Sequence, residues 1–199
     1  MDLIIEFVII LFLSVIQSVF GIGLLLFGTP IFLFIGYGFE STLVILLPIS
    51  ITISLLQLIN QKNSINSLVS EYNVFCLPFL VVFLFMAINI VDLINIKIYV
   101  SILLIISSII ILNKNRIYLL NRYLLKYRKI CLILIGSIHG FTNMGGGFLS
   151  IFSTLVNDED KELTRNYISY GYFMMGIIQY TTILFFGLNN TDFTKLYYV

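Results

Sequence analysis

Charged residues punctuate this chain unevenly, and the gaps between them predict its architecture. Charge-free stretches cover 7–39, 41–61, 72–91, 98–113, 130–157 and 166–191. A helix that crosses a bilayer needs about 20 predominantly apolar residues, within a range of roughly 17–25. Four of the stretches suit one span each. The other two, 7–39 and 130–157, are too long for one helix and short for two, and both carry glycines near their middle. Each predicts a helix, a break and a shorter second helix. The stretches 79–88 and 102–112 lack the strict apolar–polar alternation of a membrane β-barrel strand.

Composition turns this pattern into a solvent argument. Charged residues make up 11% of the chain and hydrophobic ones 59%, against about 25% and 45–50% in soluble domains. Too little charge is left to cover a water-exposed surface. An ordinary cytosolic enzyme, a nucleic-acid binder and a disordered chain are therefore excluded. The expected fold is all-α and polytopic, with the bilayer as partner. The first span is expected at residues 3–20, since Met1-Asp2-Leu3 lacks the basic flank of a signal peptide. Cys76 and Cys131 lie apart in apolar segments and read as packing residues, implying neither a disulfide nor a metal.

Lys114, Arg116, Arg122, Lys126, Arg128 and Lys129 crowd one linker, and no acid occurs between Asp92 and Asp158. The positive-inside rule makes this linker cytoplasmic. Tyr118, Tyr123 and Tyr127 fall where an aromatic belt would sit, in a chain without Trp. The linker divides the sequence into a first transmembrane repeat (1–113), a basic cytoplasmic loop (114–129) and a second repeat (130–199). A shift of 122 residues places Ile16 on Ile138, Gly23 on Gly145, Leu33 on Leu155, Glu40 on Glu162, Thr42 on Thr164 and Gln57 on Gln179. Each block runs from a glycine-broken stretch through an acid to a span with a deep Gln. Repeats of this kind are a mark of secondary transporters. Under the same shift the counterpart of 72–91 begins at 194, so the second repeat is expected to be incomplete by about two spans.

The breaks carry the candidate chemistry. The first is Gly21-Ile22-Gly23, followed by Gly28-Thr29-Pro30, and the second runs from His139-Gly140 through Asn143 to Gly145-Gly146-Gly147. Each glycine in a helix interior costs about 1 kcal/mol relative to Ala. A helix restarting after a break presents unpaired N–H groups and its positive dipole end, which suit an anion. Close helix packing is the competing reading, and it is preferred for Gly171 and Gly176, while Gly36 and Gly38 read as a loop.

These segments resemble the sulfite exporter TauE/SafE family of membrane permeases. That pattern is a Gly, two intervening residues, then Gly-Ile-Gly-Gly-Gly, an apolar run and often a Pro, once per half. The second copy here is Gly140-Phe-Thr-Asn143-Met144-Gly145-Gly146-Gly147, with Asn143 for a Gly and Phe152 where Pro is common. The first is Gly21-Ile22-Gly23-Leu24-Leu25, ending at Pro30, with two leucines for glycines. The resemblance covers about residues 5–187. It implies some eight membrane segments in two halves and passage of small anions such as sulfite and organosulfonates across the cytoplasmic membrane; no cofactor is expected.

The expected substrate-binding residues are Gly21, Gly23, Gln57, His139, Gly140, Asn143, Gly145, Gly146, Gly147 and Gln179. Gln57 and Gln179 occupy matched places, while Gln17 and Asn143 flank the breaks. Interhelical hydrogen bonding is the alternative role for the Gln pair. His139, the sole His, could bind an anion or carry a coupling proton, or be a neutral structural residue. The cluster Asp158-Glu159-Asp160 with Lys161, Glu162 and Arg165 reads as a solvated loop, with Glu162 as a helix cap. It lacks the spacing of a calcium-binding EF-hand. The expected activity is permeation of a small anion by alternating access. A non-transporting membrane subunit or remnant that needs a partner chain is the rival. No catalytic constellation and no metal set is legible, which argues against an enzyme. The topology has two solutions. If each broken stretch crosses twice, the N-terminus lies outside and the halves are inverted; if each is re-entrant, the N-terminus lies inside.

Overall fold

The computed structural model describes residues 3–60, 68–90, 95–112, 125–157 and 160–187, and all regular structure among them is helical. The helices are α1 (Leu3–Phe20), α2 (Leu24–Ile35), α3 (Phe39–Ile59), α4 (Leu68–Phe75), α5 (Leu77–Ile90), α6 (Ile96–Leu112), α7 (Arg128–Thr142), α8 (Gly145–Val156) and α9 (Lys161–Thr182). A π-helical turn, Ile183–Gly187, extends α9. A turn at Cys76 separates α4 from α5, with Pro78 in the first turn of α5, a position that needs no intrahelical N–H donor. Most of the basic linker and the acids Asp158 and Glu159 fall outside the described residues.

Phe39–Ile59, with 21 residues, and the kinked Leu68–Ile90, with 23, each have a mean hydropathy of 2.3 and are long and apolar enough to cross a bilayer. Shorter apolar helices include Ile4–Phe20, Leu24–Ile35 and Gly145–Val156. The two broken stretches thus fold as α1–α2 and α7–α8.

The helix boundaries follow the same 122-residue spacing. Adding 122 carries α1 (3–20) to 125–142, against 128–142 for α7. It carries α2 (24–35) to 146–157, against 145–156 for α8, and α3 (39–59) to 161–181, against 161–182 for α9.

Contacts between equivalent helices give their relative direction. In α3 and α9, Gln57 meets Ser169 while Ile51 lies against Gly176, so residue order reverses and the two helices are antiparallel. In α2 and α8, Leu26 lies against Gly147 and Thr29 bonds to Asn143, again in reversed order. The repeats are therefore inverted with respect to one another. The first turns of α2 and α8 lie side by side between them.

Helix α5 runs parallel to α7 at very close range. Gly136 rests on the Cys76 carbonyl and Gly140 on the Leu80 carbonyl. This Gly136–Gly140 pair is a small-xxx-small contact of the kind that lets helix backbones touch. Burial follows an inside-out pattern. Gln17, Thr29, Ser50, Ser54, His139, Asn143 and Gln179 are buried, whereas Phe7, Leu11, Phe12, Val15, Ile102 and Ile105 are exposed.

Candidate functional site

The two breaks have the same backbone design. Gly21 has φ 77° and Asn143 has φ 61°, and the 122-residue shift superposes these two positions. Each donates its N–H to the carbonyl four residues back, Gly21 to Gln17 at 2.8 Å and Asn143 to His139 at 2.7 Å. Asn is among the few residues besides Gly that adopt the left-handed region readily, so the Gly-to-Asn exchange preserves the turn. The glycine spacing predicts a break over the whole run from His139 to Gly147. Only Asn143 and Met144 are non-helical. His139 and Gly140 belong to α7, and the three glycines form the first turn of α8. Their value is close approach: Gly145 packs on His139, Gly146 on the Tyr172 hydroxyl and Gly147 on Leu26. Gly171 against Leu149 and Gly176 against Ile51 are packing contacts too, while Gly36 caps α2 in the loop.

The matched glutamines secure the breaks. Gln57 donates its side-chain amide to the carbonyls of Gln17 and Ser18, both at 3.0 Å. Gln179 donates to the carbonyl of His139 at 3.3 Å. Gln17 and His139 are themselves equivalent under the shift. In each half, then, a Gln on the third helix adds a second donor to the carbonyl that accepts the turn's own N–H, and Gln57 also reaches the neighbouring Ser18 carbonyl.

Side-chain polarity is where the halves part. Gln17 donates to Ser50 Oγ at 2.9 Å and Ser54 Oγ at 3.2 Å, and its oxygen accepts from Ser50 Oγ at 3.3 Å. In the second half His139, Tyr172 and Gly176 stand where Gln17, Ser50 and Ser54 stand in the first. His139 Nδ1 and Nε2, Asn143 Oδ1, Tyr172 Oη and Gln179 Oε1 are all buried and have no hydrogen-bond partner among the described residues. The imidazole meets the Tyr172 ring edge-on, with centroids 6.4 Å apart. The Asn143 amide nitrogen is engaged, donating to Thr29 Oγ1 on α2 at 2.8 Å. Each unpartnered buried polar atom costs about 1–3 kcal/mol, and here such atoms converge on one break.

Neither α2 nor α8 has a side-chain cap on its first turn. By contrast, Asp160 caps α9, accepting from the N–H groups of Glu162 and Leu163 at 2.9 and 3.0 Å. The capping residue is therefore Asp160 and not Glu162, because a carboxylate reaches the free N–H groups from the position preceding the helix.

Of the residues expected from sequence, the structure groups His139, Asn143, Gln179 and the glycines 145–147 around the second break. Gly21, Gly23 and Gln57 lie at the first. Tyr172 and Thr29 were not anticipated. Tyr172 is reachable by extending the repeat alignment to Ser50, whereas Thr29 is marked only by its place in Gly28-Thr29-Pro30, which does not point to Asn143. Among the described residues no group of three or more His, Cys, Asp or Glu is placed to hold a metal. Comparison with protein-family models, curated proteins and solved structures finds no match to this chain.

Proposed function

We propose that this protein is a multi-pass permease of the cytoplasmic membrane that moves a small anion of the sulfite or sulfonate class, as the resemblance to TauE/SafE permeases implies. The observation that carries the reading is the cluster of unpartnered polar atoms at His139, Asn143, Tyr172 and Gln179, beside the uncapped first turns of two antiparallel broken helices. Helix N-termini supply N–H groups and positive potential to an anion. Inverted repeats meeting at broken helices are the arrangement in which one repeat can rock against the other. Exposed apolar side chains around a polar interior support a lipid environment.

The test is flux. Proteoliposomes holding the purified full chain should exchange radiolabelled sulfite or a sulfonate above empty vesicles, and absence of flux for sulfite, sulfate and sulfonates refutes the reading. His139→Gln installs the first-half residue in the second half. It should flatten the pH dependence of flux if the imidazole carries the coupled proton; an unchanged pH profile removes that role.

A further inference from the structure

A cleft of about 400 Å³ opens where the C-terminal ends of α1 and α3 meet the first turns of α9. Its polar lining is Ser18, Gln57, Asn60, Glu162, Arg165 and Asn166. Gln57 is fully occupied, its nitrogen on two carbonyls of α1 and its oxygen accepting from Ser169 at 3.1 Å. Arg165 and Asn166 are not. The exposed guanidinium donates to the Ser18 carbonyl at 3.2 Å and makes no ion pair among the described residues, so most of its five N–H donors face solvent, where an acceptor can replace water. Asn166 is 3% exposed, and its Nδ2 has no partner among the described residues. The buried Asn166 amide donor is costly without an acceptor, Arg165 beside it is exposed to solvent, and together the two are complementary to an oxyanion. Glu162 is exposed on the rim and reduces the positive charge, which favours a monovalent group over a divalent one.

We propose that this cleft binds a single tetrahedral oxyanion group, with Arg165 supplying the charge and Asn166 the buried donor. A soluble sulfonate or the phosphate of a lipid headgroup has the required chemistry. The site is separate from the second break, so the inference does not depend on transport.

The experiment uses the full chain in dodecyl maltoside, which carries no anionic group. The thermal unfolding midpoint is followed while sodium methanesulfonate is titrated against sodium chloride at equal ionic strength. In a parallel series phosphatidylglycerol is titrated against a neutral diacylglycerol. The expected result is a saturable rise in at least one series, with apparent affinity falling at least tenfold in Arg165→Gln and several-fold in Asn166→Leu. A rise with methanesulfonate identifies a soluble ligand, and a rise with phosphatidylglycerol alone identifies a lipid phosphate. Arg165→Lys, which keeps the charge, should bind at intermediate strength. No rise in either series, or a rise that Asn166→Leu leaves unchanged, overturns the proposal even if Arg165→Gln fails to fold.

Discussion

At Asn143 a single residue serves backbone and side chain together. Its φ of 61° turns the chain out of α7, and its amide ties that turn to Thr29 of the other repeat. Asn143→Gly should keep the turn and lose only the hydrogen bond, costing about 1 kcal/mol. Asn143→Ala should also pay for a left-handed conformation that Ala resists, bringing the loss to roughly 2 kcal/mol. Thermal unfolding of both variants in detergent separates the two contributions. Tyr37, in the turn between α2 and α3, donates its hydroxyl to Glu6. Partial burial, then the Glu6 carboxylate, pushes its pKa up from 10.0 to about 12. The folded state thus favours the protonated phenol. The resulting stability is complete below pH 10 and is lost as pH rises toward about 12. Unfolding midpoints measured across that window should fall more steeply in the native chain than in Tyr37→Phe.

Between elements, closeness is the controlling quantity. At Gly136 the backbone of the Cys76 turn, and at Gly140 that of α5, stands where a side chain would go, and backbone cannot swing aside. At Gly146 the obstacle is the Tyr172 ring and hydroxyl, which are side-chain atoms. Gly136→Ala should therefore prevent close docking of α7 on α5, with no single partner substitution restoring it. Gly146→Ala should cost about 1–3 kcal/mol through overpacking, part of which Tyr172→Phe recovers. Melting the two single variants and the double variant together checks this. Equal rescue of Gly136→Ala by Tyr172→Phe would contradict the assignment of contacts.

For the whole molecule, the antiparallel pairing of α3 with α9 sets a prediction about sidedness. If the bilayer is crossed as proposed, Leu125 and Lys161 lie on one face, and Gly38 and Asn95 on the other. Single cysteines at these positions, with Cys76 and Cys131 replaced, should label from opposite sides of sealed vesicles. Lys126, Arg128 and Lys129 assign the first face to the cytoplasm. Labelling of all four from one side would leave the helix pairing intact and remove the membrane topology built on it.

The sequence by itself determined the helical character, the two broken stretches and the 122-residue repeat, because charge gaps and glycine placement are properties of order along the chain. The matched Gln57 and Gln179 were legible for the same reason. Tertiary structure alone decided that the repeats are inverted, since direction is a relation between helices and leaves no mark on either. It also decided that the break is Asn143–Met144 rather than the glycine run. A glycine's cost in a helix is about 1 kcal/mol, and the close contacts of Gly145, Gly146 and Gly147 with three different neighbours can offset it. Finally, Thr29 with Asn143 and Arg165 with Ser18 are separated by 114 and 147 residues. Only folding brings such partners together, and the polar arrangement at the second break and in the cleft depends on them.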